Sequence, residues 1–179
     1  YRTDALMLSG ETASGKYPVE AVRTMAQVAE QAEKDKLREN DIALQLERGC
    51  SVRDFLAHSA IQATGIMDVK GIITDCSTGM TARHLAAFRG PNPVLAICYT
   101  EQLQRWLSLS YGIIPIYQKG HMASPEIYPT AVRMLCQKGY LHPEDKIAYL
   151  SGSLGEGGGT TFLEINKAQD VLDKLGNQE

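Results

Sequence analysis

From residue 51 onwards, the sequence alternates between short apolar runs and amphipathic helical patterns. Each apolar run is bounded by glycine, proline or polar residues, which predicts a strand. The runs are GIITD, VLAIC, GIIPIY, KIAYLS and TTFLEI, and the helical patterns are SVRDFLAHSAIQATGIMD, MTARHLAAFRG, TEQLQRWLSLS and SPEIYPTAVRMLCQKG. Continuous apolar strands that alternate with helices indicate a mostly parallel sheet covered on both faces. We therefore predict a three-layer α/β/α domain with a five-stranded sheet for residues 51–179.

One edge strand of this sheet is expected to be antiparallel. Only about eight residues separate KIAYLS from TTFLEI, and a parallel crossover needs a dozen or more.

Capping residues mark the helix ends: Ser51 with Asp54 three residues later forms a capping-box pattern. The other predicted caps are Thr100 and Ser124 at helix starts, with Pro125 at a first helical position, and Gly90 and Gly139 past helix ends. Pro129 predicts a late start or a bend of its helix.

The first fifty residues form a separate pattern. Ala5 to Leu8 are apolar and predict a strand, which leads into the polar residues Ser9-Gly10-Glu11-Thr12. Residues 17–36 carry a helical apolar stripe, with Pro18 near the first turn. Residues 37–50 show no clear period and are interpreted as a connection.

Charge and cysteine content exclude several classes of protein. The formal net charge of −3 and the pI of about 5.8 argue against general binding of nucleic acid or anionic membranes. No apolar stretch approaches the ~20 residues of a membrane helix, and no signal sequence is recognised at the start. The scattered cysteines indicate reduced thiols in a cytosolic protein rather than a disulfide frame or a zinc site. They are Cys50, Cys76, Cys98 and Cys136.

Three loops should meet at the carboxyl edge of the sheet, where such folds bind ligands. The loop CSTGMT offers hydroxyls and runs into a helix N-terminus, which attracts phosphate. The alternative is that Thr78 or Thr81 only caps that helix, and that the glycines of GSLGEGGG only serve turn geometry. The candidate phosphate-binding residues are Cys76, Ser77, Thr78, Gly79, Met80, Thr81, Gly152, Ser153, Gly155, Gly157, Gly158 and Gly159, and Lys119 and His121 in a third loop offer positive charge.

These motifs resemble the pyruvate kinase family over nearly the whole chain. MLSGETASGKYPVEAV is similar to the family's last strand and helix of its catalytic (β/α)8 barrel, and LSGSLGEGGGTTFLEI to its effector loop. The resemblance implies a C-terminal fragment. Residues 1–36 would be the barrel tail, 37–50 a linker, and 51–179 the C-terminal regulatory domain.

The resemblance also implies a function. The family transfers phosphate from phosphoenolpyruvate to ADP, giving pyruvate and ATP, with Mg²⁺ and K⁺ as cofactors. Ser9, Glu11 and Thr12 match residues that line the back of that active site and position groups near the enolate, without binding metal. The metal-binding carboxylates and the catalytic lysine belong upstream, so this fragment is expected to be inactive alone.

In the family, a phosphorylated sugar or nucleotide binds between the two loops and shifts a cytoplasmic tetramer towards its active state. Many relatives carry Arg or Lys where this chain has Met80, so Lys119, His121 or Arg83 would have to assist. The fragment is expected to contribute one oligomer interface and to form a dimer, with no nucleic-acid or membrane partner. The alternative is a free-standing, non-enzymatic domain that binds a phosphorylated metabolite.

Overall fold

Five strands form one sheet in the computed structural model of this protein, which describes residues 3–39, 46–119, 124–152 and 159–176. The strands are β1 Val69–Cys76, β2 Val94–Cys98, β3 Ile113–Tyr117, β4 Lys146–Gly152 and β5 Thr160–Lys167. Their spatial order is β3-β2-β1-β4-β5. All neighbouring pairs are parallel except β4 and β5, which are antiparallel. The predicted mostly parallel sheet with one antiparallel edge is confirmed.

Helices cover both faces of the sheet. The helices are α1 Gly10–Ala13, α2 Pro18–Glu39, α3 Val52–Ile66, α4 Met80–Ala87, α5 Glu101–Leu107, α6 Ser124–Gln137 and α7 Ala168–Gly176. One buried cluster joins alternate strand residues to α3, α4 and α5, and includes Ile72, Ala60 and Leu85. The second buried cluster lies on the other face of the sheet. It joins the strand residues of that face to α6 and α7, and includes Ile97 and Leu135. Burial of apolar side chains on both faces stabilises the three layers, as the sequence predicts.

The register of the central strands brings their carboxyl ends to one edge. Cys76 at the end of β1 pairs with Cys98 at the end of β2, and Ile73 pairs with Tyr149 of β4. The segment from Ser77 to Gly79 then leads directly from β1 into α4. The carboxyl ends of β1 and β4 therefore lie side by side, as expected for this class of sheet.

The predicted helix caps at the start of α3 and α5 are confirmed. The Asp54 backbone N–H donates to Ser51 Oγ at 3.1 Å, and the Leu103 N–H donates to Thr100 Oγ1 at 3.2 Å. Gly139 has φ of 75° after α6, and its N–H donates to the Cys136 carbonyl at 3.0 Å, as in the predicted C-terminal cap.

Some predicted helix boundaries are wrong. Helix α6 begins at Ser124 itself and continues through Pro129, so it does not start late. After α4 the positive φ of 54° falls on Arg89 rather than on Gly90. Gly90 has a different role, because a Cβ there would lie 2.6 Å from Ile61 Cδ1. Helix α7, directly after β5, was not predicted.

The chain divides into two compact units, Tyr1–Leu44 and Gln45–Glu179, and the boundary lies inside the predicted connection 37–50. In the first unit α2 covers the predicted helix. The predicted strand Ala5 to Leu8 is wrong, since these residues are irregular. A strand needs a neighbour for its backbone hydrogen bonds, and the described part of this unit forms helices α1 and α2 and no strand.

Within the described residues, no helix has the length and apolarity to cross a membrane.

Candidate functional site

A cavity of about 300 Å³ lies at the carboxyl edge of the sheet, within the second unit. Four segments contribute to it: the end of β1 with the start of α4, the end of β4, the start of β5, and the first turn of α3. Its lining residues are Arg53, Thr74, Asp75, Cys76, Ser77, Thr78, Gly79, Met80, Thr81, Ser151, Gly152, Gly159 and Thr160. The structure thus brings all six predicted residues of the first loop together with Gly152 and Gly159.

The start of α4 has no side-chain cap. Its N-cap residue is Gly79, with a left-handed φ of 75° and no capping side chain. Thr78 Oγ1 accepts only a long bond of 3.4 Å from the Met80 N–H. Thr78 therefore makes only this long bond to the start of α4, and no hydrogen bond from Thr81 to the start of α4 is recorded among the described residues. N–H groups in a helix's first turn have no intrahelical acceptor and favour an anion.

Gly79 is required for two separate reasons. Its left-handed backbone disfavours any residue with a side chain. A Cβ there would also lie 2.9 Å from Leu103 Cδ1 and 3.0 Å from Leu107 Cδ2. The loop consequently packs directly on α5, which fixes the position of the cavity wall.

Two threonine hydroxyls connect the walls of the cavity. Thr81 Oγ1 lies 2.7 Å from Thr160 Oγ1, which joins α4 to the first residue of β5. One hydroxyl donates to the other, so one hydroxyl hydrogen of the pair is left for another acceptor. Nearby, a Cβ at Gly152 would lie 1.7 Å from the Gly159 carbonyl oxygen, so the chain passes too closely there for a side chain.

Arg53 in the first turn of α3 is a cation that the sequence analysis did not select. Its Nη1 donates to the thioether of Met80 at 2.8 Å. Its Nε is buried and has no hydrogen-bond partner among the residues that the structure describes. The only signal in the sequence is a basic residue two positions after a helix cap, which is too common to indicate a site.

Thr74 contributes a buried hydroxyl to the cavity lining. The residue is fully buried, and its Oγ1 has no hydrogen-bond partner within the described part of the chain. A buried polar group without a partner costs about 1–3 kcal/mol, so native proteins normally satisfy such groups with water or ligand. The Thr74 hydroxyl therefore leaves a buried hydrogen-bonding group unmatched among the described residues.

Asp75 is the acidic residue among the described cavity residues. Its Oδ1 accepts hydrogen bonds from Ser151 Oγ and from the hydroxyl of Tyr149, the latter at 3.4 Å. Burial and the charge of Asp75 raise the pKa of Tyr149 well above its usual value, so this tyrosine remains a donor. The two hydroxyls hold the carboxylate on the β4 side of the edge.

The predicted cations that the structure describes, Lys119 and Arg83, do not line the cavity. Lys119 is exposed just after edge strand β3, and Arg83 is exposed on α4. His121, Ser153, Gly155, Gly157 and Gly158 lie outside the described residues.

Buried thiols lie under the loop. Burial raises the pKa of the Cys76 thiol, and a hydrogen bond from the Ala82 N–H only partly offsets this effect. Burial also raises the pKa of Cys98 to about 11. Both sulfurs therefore remain protonated and unreactive at neutral pH. All four cysteines are free thiols, and the described residues contain no group of three or more His, Cys, Asp or Glu able to hold a metal ion.

The polar motif of the first unit forms a local turn. Glu11 Oε2 accepts from the Ser9 N–H at 3.0 Å, and Thr12 Oγ1 donates to the Ser9 carbonyl at 3.2 Å. Hydrogen bonds from backbone N–H groups, its own and that of Ser9, lower the pKa of Glu11, which is exposed. The structure brings Ser9, Glu11 and Thr12 together, and Glu11 is an accessible carboxylate at neutral pH.

The fold and the cavity define a three-layer α/β domain with a polar cavity at the carboxyl ends of its strands. A match to a known protein family identifies this domain more narrowly than its fold does. Residues 54–166 match the family described as "Pyruvate kinase, alpha/beta domain", and the chain belongs to the pyruvate kinase family.

Relatives of known name agree with this assignment. The chain is 37% identical over 174 residues to the pyruvate kinase of Borreliella burgdorferi, covering 95% of this chain and 36% of that protein. It is 32% identical over 173 residues to the pyruvate kinase of Bacillus licheniformis, covering 96% and 30%. A crystal structure of a pyruvate kinase from Cryptosporidium parvum shares the fold with a TM-score of 0.76 at 24% identity, over 90% of this chain and 32% of that one. The chain therefore spans about a third of the length of these relatives.

Proposed function

We propose that this chain is the C-terminal part of a cytoplasmic pyruvate kinase, and that its cavity binds a phosphorylated sugar or nucleotide that regulates the enzyme. The parent enzyme transfers phosphate from phosphoenolpyruvate to ADP, with Mg²⁺ and K⁺ as cofactors. The observation that carries the regulatory role is the cavity at the start of α4, where Thr81 and Thr160 add hydroxyls and Thr74 Oγ1 has no partner in the described ranges. Backbone N–H groups and hydroxyls in this arrangement suit phosphate oxygens.

Thermal unfolding with a panel of ligands tests the regulatory role. The panel contains fructose 1,6-bisphosphate, glucose 6-phosphate, ribose 5-phosphate, AMP and inorganic phosphate, with ribose and adenosine as unphosphorylated controls. A ligand at ~100 times its dissociation constant adds about 2.7 kcal/mol. For a chain of this size the midpoint then rises by roughly 5–10 °C. We expect a shift for at least one phosphorylated ligand, and Thr81→Ala should abolish it. The absence of any shift would reject the effector role.

The proposal further assigns Ser9, Glu11 and Thr12 to the wall of the parent's active site and predicts that the chain alone is inactive. Phosphoryl transfer depends on positioned charges, and only the Glu11 carboxylate is contributed by this motif. A coupled assay of the purified chain with phosphoenolpyruvate, ADP, Mg²⁺ and K⁺ should therefore yield no ATP. Measurable ATP formation would contradict this assignment.

Self-association is the remaining part of the proposal, with a homotetramer for the parent and a dimer for this chain. Exposed apolar side chains on α3 support it, since Phe55 and Ile66 are 56% and 79% exposed. Sedimentation velocity should detect a dimer that Phe55→Glu weakens. A monomer at all accessible concentrations would reject this part without affecting the ligand site.

A further inference from the structure

The charges around the cavity are few. Arg53 and Asp75 are the only charged residues among the described ones that line it. The remaining lining residues are neutral and offer hydroxyls, backbone groups and one thioether. Any electrostatic preference of this part of the site for a charged ligand is therefore set by how these two residues are engaged.

Asp75 is already engaged on the β4 side. Ser151 and Tyr149 both donate to its Oδ1, so its negative charge is partly satisfied by protein hydroxyls. A phosphate group next to this carboxylate would be repelled. The anionic part of a ligand is therefore directed away from Asp75, towards α3 and the start of α4.

The charge of Arg53, unlike that of Asp75, is not matched by strong hydrogen bonds with the described residues. The structure records no ion pair between Arg53 and a carboxylate of the described residues. Among the described residues its Nη1 meets only the Met80 sulfur, at 2.8 Å, and its buried Nε has no acceptor. A thioether is a weak acceptor, whereas a guanidinium forms its strongest hydrogen bonds with phosphate or carboxylate oxygens.

The position of Arg53 also joins it to both loops. Its Nη1 contacts Met80, the first residue of α4. On the opposite side its Nη2 lies 4.0 Å from where a Cβ of Gly159 would be. The guanidinium is therefore close to both the start of α4 and the start of β5, and it lines the same cavity as Thr81 and Thr160.

We propose that Arg53 binds the phosphate group of the cavity's ligand, and that the Met80 thioether holds the guanidinium in place until that phosphate replaces it. This inference rests on the proposed function, since it requires a phosphorylated ligand in the same cavity. It assigns the cation of the site to α3 rather than to the loop before α4. The ligand class is a small metabolite with a phosphate monoester, whose phosphate faces Arg53.

Isothermal titration calorimetry of the full 179-residue chain tests this role. The probes are ribose 5-phosphate, AMP and fructose 1,6-bisphosphate, with ribose and adenosine as controls. Arg53→Gln removes the charge, and Arg53→Lys retains the charge without the planar fork. Arg83→Gln is the matched control, since it removes the same charge from an exposed residue outside the cavity lining.

We expect Arg53→Gln to weaken binding by about ten- to one-hundred-fold, as loss of hydrogen bonds to a charged group does. Arg53→Lys should fall between wild type and Arg53→Gln, and Arg83→Gln should bind like wild type. The wild-type dissociation constant should also rise with salt more steeply than that of Arg53→Gln, a difference that a purely structural role would not produce. Circular dichroism and melting of each variant establish that it is folded.

Other results overturn the inference in distinguishable ways. If wild type binds a probe and Arg53→Gln binds it equally well, Arg53 has no role in binding, and the proposed function stands. If Arg83→Gln weakens binding as much as Arg53→Gln, the effect comes from net charge alone and the inference also fails. If wild type binds none of the probes, the proposed function fails and this inference fails with it.

Discussion

The hydroxyl oxygens of Thr81 and Thr160 lie 2.7 Å apart, although 79 positions separate the two residues in the chain. Thr81 lies in the first turn of α4, and Thr160 is the first residue of β5. The contact closes one side of the cavity and links the loop after β1 to the antiparallel edge strand. The same pair therefore contributes to both the stability of this edge and the shape of the site.

Removing the Thr81 hydroxyl should destabilise the domain measurably. Thr81→Val keeps the side-chain volume but leaves the Thr160 hydroxyl, which is 7% exposed, without its partner. We expect a loss of about 1–2 kcal/mol in the free energy of unfolding, measured by urea denaturation.

Two controls accompany Thr81→Val. Thr78→Val removes an exposed hydroxyl that makes only a 3.4 Å bond, and should change stability by less than about 0.5 kcal/mol. Combining Thr81→Val with Thr160→Val should cost less than the sum of the single changes. Strict additivity would show that the two hydroxyls do not interact.

Gly79→Ala should destabilise the chain more than Gly112→Ala. Both glycines have a left-handed φ, of 75° and 65°. A Cβ at Gly112 meets nothing within 4 Å, whereas one at Gly79 would lie 2.9 Å from Leu103 Cδ1. We expect about 1–2 kcal/mol of backbone strain at both positions and a further 1–3 kcal/mol or so from overpacking at Gly79 alone. Equal losses of unfolding free energy for the two variants would contradict the direct packing of the loop on α5.

The sheet was predictable because each of its strands is marked by a short local pattern in the sequence. Runs such as VLAIC are buried at every residue, and an unbroken apolar run is what a strand covered on both faces requires. The antiparallel edge followed from the length of the connection between the last two strands. The loop from Cys76 to Thr81 followed in turn, because strand order places it at the carboxyl edge of the sheet.

Other features depend on contacts that a local pattern does not contain. The apolar run from Ala5 to Leu8 resembles a strand, but no strand neighbour is described for it in its unit. Arg53 reaches Met80 across 27 positions, and nothing in the sequence around it distinguishes it from an ordinary surface arginine. Thr74 lies inside an apolar run, where a single threonine is common in strands, so its unpartnered hydroxyl could be found only from the structure.

Thiol reactivity should separate Cys50 from the cysteines under the loop. Cys50 is exposed, whereas Cys76 and Cys98 are buried, and burial raises the pKa of Cys98 to about 11. We expect a thiol reagent such as DTNB to modify Cys50 rapidly in the native chain, and Cys76 and Cys98 only after unfolding. Cys50→Ser should remove the rapid phase. Rapid native modification of Cys98, located by mass spectrometry, would show that the edge of the sheet opens.

The cap of α3 should make stability depend on acid pH. A hydrogen bond from the Ser51 hydroxyl, at 2.7 Å, lowers the pKa of Asp54 below its ordinary value of 3.8, and contact with His84 Nδ1 at 2.5 Å adds to this effect. A carboxyl group with a lower pKa in the folded state stabilises fully above its unfolded-state pKa and loses that contribution as the pH falls through the folded-state pKa. Wild type should therefore lose unfolding free energy relative to Asp54→Asn as the pH is lowered through 3.8 and below. Parallel pH profiles for the two proteins, measured by urea denaturation in acid, would show that Asp54 has the same pKa in the folded and unfolded states.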